Sequence, residues 1–198
     1  ATGLVGLQLL SCGGGGGGSA PLALPPAPTA PAPTPAPTPA SVSGAVVGSY
    51  FINAKVCLDT NANGRCDAGE SSTRTDKQGA FTLTGSGAGI VAEIGTDATE
   101  FDPTTSASKP VSARLVLRAP KEAPGVVDFH STAVVAEMEA GGLDFKVASS
   151  KVAISVGVVA AKLLGDFNTE SDPVAKAALQ AASDEGLQRI RDALASAT

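Results

Sequence analysis

Hydrophobic and polar residues alternate in short runs between residues 41 and 120, and Gly or Asp residues separate the runs. The clearest run, residues 111–119, has apolar residues at alternate positions on one face: Val111, Ala113, Leu115 and Leu117. A period of two is typical of a half-buried strand. We expect strands in the runs 42–48, 52–58, 72–75, 80–85, 89–95 and 111–119. Short strands separated by turn residues predict an antiparallel β-sandwich over residues 41–120.

After residue 120 the apolar residues recur with a helical period, which predicts a small helical region over residues 121–198. Capping residues and proline mark the expected helix starts: Ser131 or Thr132, Ser149 or Ser150, and Asp172-Pro173. The first helix should end at Ala140 and the second at Leu164, each before glycine. These helices form either a small bundle or a cap on the sandwich.

Two segments precede the sandwich. Residues 1–12 are apolar and too short to span a bilayer, and they end in Leu9-Leu10-Ser11-Cys12. This ending resembles the lipobox of bacterial lipoprotein signal peptides, in which the cysteine becomes acylated and anchors the protein to a membrane. The alternative is an apolar stretch with an incidental cysteine. Residues 13–40 are rich in Gly and then Pro, which predicts a disordered tether with an extended polyproline portion.

The charge of the chain argues against one class of function, and its cysteines indicate a disulfide. The net charge is −5, and the 14 basic residues are scattered along the sequence, which argues against nucleic-acid binding. Of the three cysteines, Cys57 and Cys66 lie close together in an acidic segment, whereas Cys12 stands alone. In an exported protein we expect Cys57 and Cys66 to form a disulfide. Two free buried thiols are the alternative.

The segment between and after these cysteines matches the calcium loop D-x-[DN]-x-[DN]-G-x5-E. Its candidate ligands are the side chains of Asp59, Asn61, Asn63, Asp67 and Glu70 and the carbonyl of Arg65. Calcium prefers such hard oxygen ligands, and Gly64 permits the sharp bend between them. The flanking residues are β-prone, so we expect the loop within a β domain rather than in an EF-hand. The alternative is a polar turn whose Asp and Asn residues bind backbone groups without metal.

A family resemblance rests on three parts of the sequence. These are the calcium loop, the runs 42–44 and 54–58 before it, and the turn Thr75–Gly79 with Phe81 and Leu83 after it. The segment resembles the B-type repeats of SD-repeat adhesins and the related Cna-B-like and carboxypeptidase-regulatory-like modules. It is also similar to proteobacterial lipoproteins that have a glycine run after the lipobox. The resemblance implies a transthyretin-like or immunoglobulin-like sandwich, calcium that rigidifies the loop, Asp76 as an extra ligand, and no enzymatic reaction.

His130 is the one histidine, next to Asp128, Ser131 and Thr132. A catalytic Ser-His-Asp set is disfavoured, because residues so close in sequence rarely point at one another and no G-x-S-x-G motif is present. A capping or packing role at the start of the first helix is the expected one.

Together these features predict an exported, non-enzymatic lipoprotein, anchored through Cys12 to the bacterial outer membrane or cell surface. It would present a calcium-stabilised sandwich in a structural or adhesive role, with a protein or glycan ligand, no nucleic acid and no small-molecule substrate. One alternative is an accessory module at the N-terminal end of a larger secreted hydrolase. Another is a dockerin-like, calcium-dependent partner-binding module, which would require a second calcium loop.

Overall fold

The structure is a computed structural model that describes residues 40–196. It confirms a mainly antiparallel β fold followed by a small helical region. The predicted signal-peptide remnant 1–12 with Cys12, and the tether 13–40 apart from its last residue, lie outside the described residues.

Within the described residues, ten strands form three sheets: β1 Ser41–Val46, β2 Tyr50–Ile52, β3 Lys55–Asp59, β4 Ser72–Arg74, β5 Ala80–Thr84, β6 Gly89–Ile94, β7 Thr99–Asp102, β8 Ala107–Pro110, β9 Leu115–Ala119 and β10 Val126–Val127. The sheet orders are β10-β1-β5, β2-β7-β8 and β4-β3-β6-β9. Every pairing is antiparallel except that of β1 with β10.

The four-stranded sheet and the β10-β1-β5 sheet contribute to a single buried cluster, which makes the fold sandwich-like. Val56 and Leu58 of β3 and Ile90 of β6 meet Phe81 and Leu83 of β5 in this cluster. Burial of each such large apolar side chain contributes about 1.5–3 kcal/mol to folding. Because side chains alternate along a strand, Lys55, Cys57 and Asp59 lie on the other, outward face of β3.

Several predicted strand bounds are wrong. The run 52–58 is divided between β2 and β3, because Asn53 adopts a positive φ of 65° between them. The run 111–119 forms a strand only from Leu115 onward. Strands β7 and β8 were not predicted, because their sequences TEFD and ASKP lack apolar alternation.

Four helices follow: α1 Phe129–Gly141, α2 Phe145–Val156, α3 Ala160–Leu163 and α4 Pro173–Ser196. The predicted serine and threonine caps are wrong, because the helices begin earlier and aspartates take the cap position. Asp128 caps α1 by accepting from Ser131 N, while Ser131 completes a capping box. Asp144 caps α2 by accepting from Val147 N, and the helix ends early because Gly157 is left-handed. The predicted start at Pro173 is confirmed.

The helices cap the sandwich, which was one of the two predicted arrangements. Leu187 of α4 belongs to the same buried cluster as the sheet residues, and Phe129 of α1 packs against that cluster. The approach of α4 to α1 requires glycine at position 186, because a Cβ there would lie 2.2 Å from the Phe129 ring. The helical region therefore contacts the sandwich core through these residues, while most of its buried apolar side chains form a second cluster with Val47.

Candidate metal site on the β3–β4 loop

The candidate calcium loop connects β3 to β4 and begins at Asp59, the last residue of β3. Asp59 is 5% exposed, whereas most of the loop is open to solvent. The chain reverses through left-handed backbone at Ala62 (φ 57°) and Gly64 (φ 73°). The predicted bend at Gly64 is thus confirmed.

The first half of the loop curls around side-chain oxygens. Asp59 accepts from the backbone N–H of Asn63 (3.0 Å) through Oδ1 and from that of Gly64 (2.8 Å) through Oδ2. Asn61 Oδ1 also accepts from Asn63 N (3.1 Å), and Asn63 Oδ1 accepts from Arg65 N (2.9 Å). These bonds turn the side chains at alternate positions toward the inside of the curl.

The second half closes on the same interior. Asp67 Oδ2 accepts from the Nδ2 atoms of Asn61 (2.8 Å) and Asn63 (2.6 Å), and these two bonds lower the pKa of Asp67. Glu70 Oε2 accepts from Asp67 N (3.0 Å), and its Oε1 accepts from Thr60 N (2.8 Å). These backbone bonds lower the pKa of Glu70. Both carboxylates are therefore favoured in their charged forms.

The structure thus brings the predicted side-chain ligands together, and their oxygen donors suit calcium by type. Within residues 40–196, no group of three or more His, Cys, Asp or Glu side chains is arranged to hold a metal ion. Two amide NH₂ groups, those of Asn61 and Asn63, face the Asp67 carboxylate instead. Rotation of each amide about its Cβ–Cγ bond would present oxygen in place of nitrogen. The residue types fit the ion, and the amide orientation is what binding would change.

The predicted disulfide is confirmed: Cys57 and Cys66 are bonded, with a Cα–Cα distance of 5.5 Å. Because Cys57 lies on the outward face of β3, the bond folds the loop over that face. Two contacts reinforce this position: Lys55 Nζ donates to Cys66 O (3.0 Å), and Cys66 N donates to Glu93 Oε1 (3.0 Å). The loop is held covalently and by charged side chains of two neighbouring strands.

Arg118 connects the loop to the helical region. Its guanidinium forms a bidentate pair with Glu139 of α1, with N–O distances of 2.8 and 2.7 Å. The same guanidinium lies beside Gly64, where an added Cβ would be 3.4 Å from Arg118 Cζ. Sequence reasoning missed Arg118, Glu139, Lys55 and Glu93. Strand register would have been needed to find the last two, since Lys55 lies opposite Glu93.

Asp76 is not brought to the loop, so its predicted role as an extra ligand is wrong. Its Oδ1 accepts from Gln78 N and Ala80 N and so stabilises the predicted turn. Lys55 lies opposite Arg74 in the β3–β4 register, so Asp76 follows the end of β4 remote from the loop. Asp76 and the start of the loop at Asp59 lie at opposite ends of β3, which is about 13 Å long at about 3.3 Å per residue.

His130 is fully buried, and its Nδ1 lies 2.9 Å from Asp128 Oδ2. The expectation that such close neighbours would not contact each other is wrong here, because the capping conformation turns Asp128 back toward the first helical turn. Ser131 Oγ donates to Arg118 O and is not bonded to His130. The ring packs edge-on between Phe129 and Phe167, as the expected packing role requires.

Comparisons with protein-family models, with curated proteins and with solved structures give no match for this chain. Among the helices of residues 40–196, none combines the length and apolar character needed to cross a membrane.

Proposed function

We propose that this protein is a non-enzymatic cell-envelope lipoprotein that presents a calcium-stabilised β-sandwich in a structural or adhesive role. Cys12 would carry the lipid that anchors it to the bacterial outer membrane or cell surface. Its β-sandwich would be a module of the same kind as the SD-repeat B-type, Cna-B-like and carboxypeptidase-regulatory-like modules. The observation that carries the proposal is the convergence of the loop's oxygen-bearing side chains under the Cys57–Cys66 disulfide.

The charge of the loop supports calcium as its ligand. Asp59, Asp67 and Glu70 contribute three carboxylates, and within the described part of the chain none of them forms an ion pair with Lys or Arg. Calcium takes six to eight oxygen ligands at about 2.3–2.6 Å, and the Asn61 and Asn63 amides and the Arg65 carbonyl would add to the carboxylates. With three carboxylates, we expect an affinity suited to millimolar extracellular calcium.

Calcium would act here as a stabiliser. Asp59 ends β3 and Glu70 precedes β4 closely, so an ion bound to both would fix the connection between the two strands. The disulfide holds the loop in its curled form before binding, which reduces the conformational entropy lost when the ion binds.

Thermal unfolding of the full chain in millimolar calcium and in EGTA tests this proposal. At a calcium concentration ten times the Kd, binding adds about 1.4 kcal/mol, which corresponds to a rise of about 3–5 °C. We expect Glu70→Gln to abolish the rise. Glu185→Gln, in an exposed residue of α4, is the matched control and should keep it. An unchanged melting temperature of the wild type in calcium would contradict the calcium proposal.

The anchor is tested separately. The complete reading frame is expressed in a lipoprotein-processing bacterium supplied with a labelled fatty acid. We expect label on the wild-type protein and none on Cys12→Ser, while Cys57→Ser/Cys66→Ser keeps the label. An unlabelled wild-type protein would contradict the anchor and leave the calcium result unaffected.

A further inference from the structure

A second feature lies beside the loop, on the outward face of the four-stranded sheet. There a cleft of about 480 Å³ is lined by basic and acidic side chains: Lys55, Arg65, Arg74, Arg114, Glu93 and Asp97. The volume falls within the range of small-ligand sites, about 300–1,000 Å³. The basic residues looked scattered in the sequence, but the fold gathers these four.

The cleft carries an excess of positive charge. Lys55 Nζ lies 3.6 Å from Glu93 Oε2, and Arg74 Nη1 lies 3.0 Å from Asp97 Oδ2, so these two cations are neutralised locally. Arg65 and Arg114 are exposed and form no ion pair with the residues that the structure describes. Arg65, which Asp67 attracts electrostatically, and Arg114 therefore face the cleft outside its two ion pairs, in a chain whose net charge is −5.

Strand register explains how the cleft forms. Arg74, Lys55, Glu93 and Val116 lie opposite one another on the four neighbouring strands. With strands about 4.8 Å apart, this row is about 14 Å long. Val116, which is 47% exposed, provides an apolar surface at one end. The row is long enough for several units of a linear ligand.

The loop supplies one side of the cleft. Arg65 precedes Cys66, whose disulfide and backbone contacts to Lys55 and Glu93 hold this part of the loop over the sheet. The disulfide and the Arg65 position are therefore linked, because the same clip that curls the loop places its guanidinium above the sheet.

We propose that the cleft binds an acidic oligosaccharide whose units carry carboxylates, such as a uronic-acid polymer. Guanidinium groups form paired, charge-assisted hydrogen bonds with carboxylates. Glu93 and Asp97 can accept hydrogen bonds from sugar hydroxyls beside those carboxylates. An acidic peptide lacks such hydroxyls, so it would not form these hydrogen bonds with Glu93 and Asp97. The inference deepens the adhesive role proposed above by naming its ligand.

The test is calorimetric titration of the full chain with tetragalacturonate, with neutral maltotetraose for comparison. We expect binding of the acidic sugar alone, weaker at high salt because exposed charges are screened. Arg114→Glu should weaken binding roughly tenfold or more. Arg189→Glu is the matched charge reversal, because Arg189 lies on α4 and does not line the cleft, and it should leave affinity unchanged. Circular dichroism confirms that both variants are folded.

Titrations in EGTA separate this inference from the calcium proposal. Binding that persists in EGTA and is weakened by Arg114→Glu supports the cleft even if calcium has no effect on unfolding. Binding that requires calcium and is unchanged in Arg114→Glu would indicate that the sugar carboxylates bind the ion. This result would contradict the cleft as the binding site. No binding of tetragalacturonate, or equal binding of a tetraglutamate peptide, would overturn the acidic-oligosaccharide assignment.

Discussion

Two groups of carboxylates in this protein differ in how their charge is balanced. At the interface of β7 with α4, Glu100 lies between Arg191 Nη2 (3.0 Å) and Lys109 Nζ (3.3 Å), and its side chain is 8% exposed. In the β3–β4 loop, Asp67 is exposed and Glu70 is half-buried, and both accept hydrogen bonds from amides. Among residues 40–196, no Lys or Arg forms an ion pair with them. Ion pairs thus balance the carboxylate charge at α4, whereas in the loop Arg65 and Lys55 act on Asp67 only through electrostatic attraction without an ion pair.

This difference also acts on the pKa values. Hydrogen bonds from neutral amides lower the pKa values of Asp67 and Glu70. Within α4, burial raises the pKa of Asp184, and the Glu100 charge raises it further. In the α4 group, Arg191 and Lys109 pair with Glu100, whereas Asp67 and Glu70 of the loop carry negative charge that an external cation can neutralise. Carboxylates such as Asp67 and Glu70, which form no ion pair with a described Lys or Arg, are thus better candidates for metal ligands than the paired Glu100.

The largest effect should come from the disulfide, which joins β3 to the loop and has no counterpart in the α4 group. Cys57→Ala/Cys66→Ala should lower the free energy of unfolding by about 2.5–3 kcal/mol, because the unfolded chain regains the entropy of a short closed loop. Urea denaturation measures the loss, and Cys12→Ser is the control. The double variant should also respond less to calcium. An unchanged free energy of unfolding would contradict the importance of the clip.

The next effect isolates the α4 group. Arg191→Met should lower the free energy of unfolding by about 2 kcal/mol, because Glu100 remains buried with only Lys109 as a partner. Arg189→Met is the matched control, since its exposed pair with Glu185 is worth less than about 0.5 kcal/mol. Calcium should not restore the loss in Arg191→Met. Equal losses in the two variants would show that the interface pair is not the source.

The smallest effect is the dependence of stability on pH, which should have opposite signs in the two groups. Asp67 and Glu70 have folded pKa values below their unfolded ones, so their stabilisation is complete above the unfolded values and is lost as pH falls through the folded values. Asp184 has a raised folded pKa, so its contribution is complete below its unfolded value and is lost as pH rises through the folded one.

Asp184→Asn should therefore raise the melting temperature slightly at neutral pH and have little effect at acidic pH. Melting curves in EGTA across this range measure the difference between the variant and the wild type. The exposed Asp192→Asn on the same helix serves as the control. A lower melting temperature of Asp184→Asn at neutral pH would contradict the raised pKa.

The sequence predicted features that depend on close spacing. The curl at Gly64, the Cys57–Cys66 disulfide and the turn stabilised by Asp76 all join residues a few positions apart, so residue type and spacing were sufficient. The prediction of Asp76 as an extra ligand was wrong, because it depended on where the folded chain places Asp76 relative to the loop. The same limit hid the Arg118–Glu139 pair, whose partners are 21 residues apart.

The remaining features depend on which strands become neighbours. The charges of Lys55 and Glu93, and the cluster around Glu100, could not be paired before the register and the position of α4 were known. Strands β7 and β8 are largely polar. They pair with each other, and β7 also pairs with β2, but their sequences have no apolar pattern that predicts a strand. Sequence reasoning thus identified the candidate ligands but not the surface on which the loop rests.

The most direct test of the central claim is calorimetric titration of the folded full chain with calcium, compared with Glu70→Gln and Glu100→Gln. These variants remove the same charge from the loop and from the α4 group. We expect one ion bound per wild-type chain, binding lost in Glu70→Gln, and binding retained in Glu100→Gln. No binding to the wild type, or unchanged binding to Glu70→Gln, would contradict it.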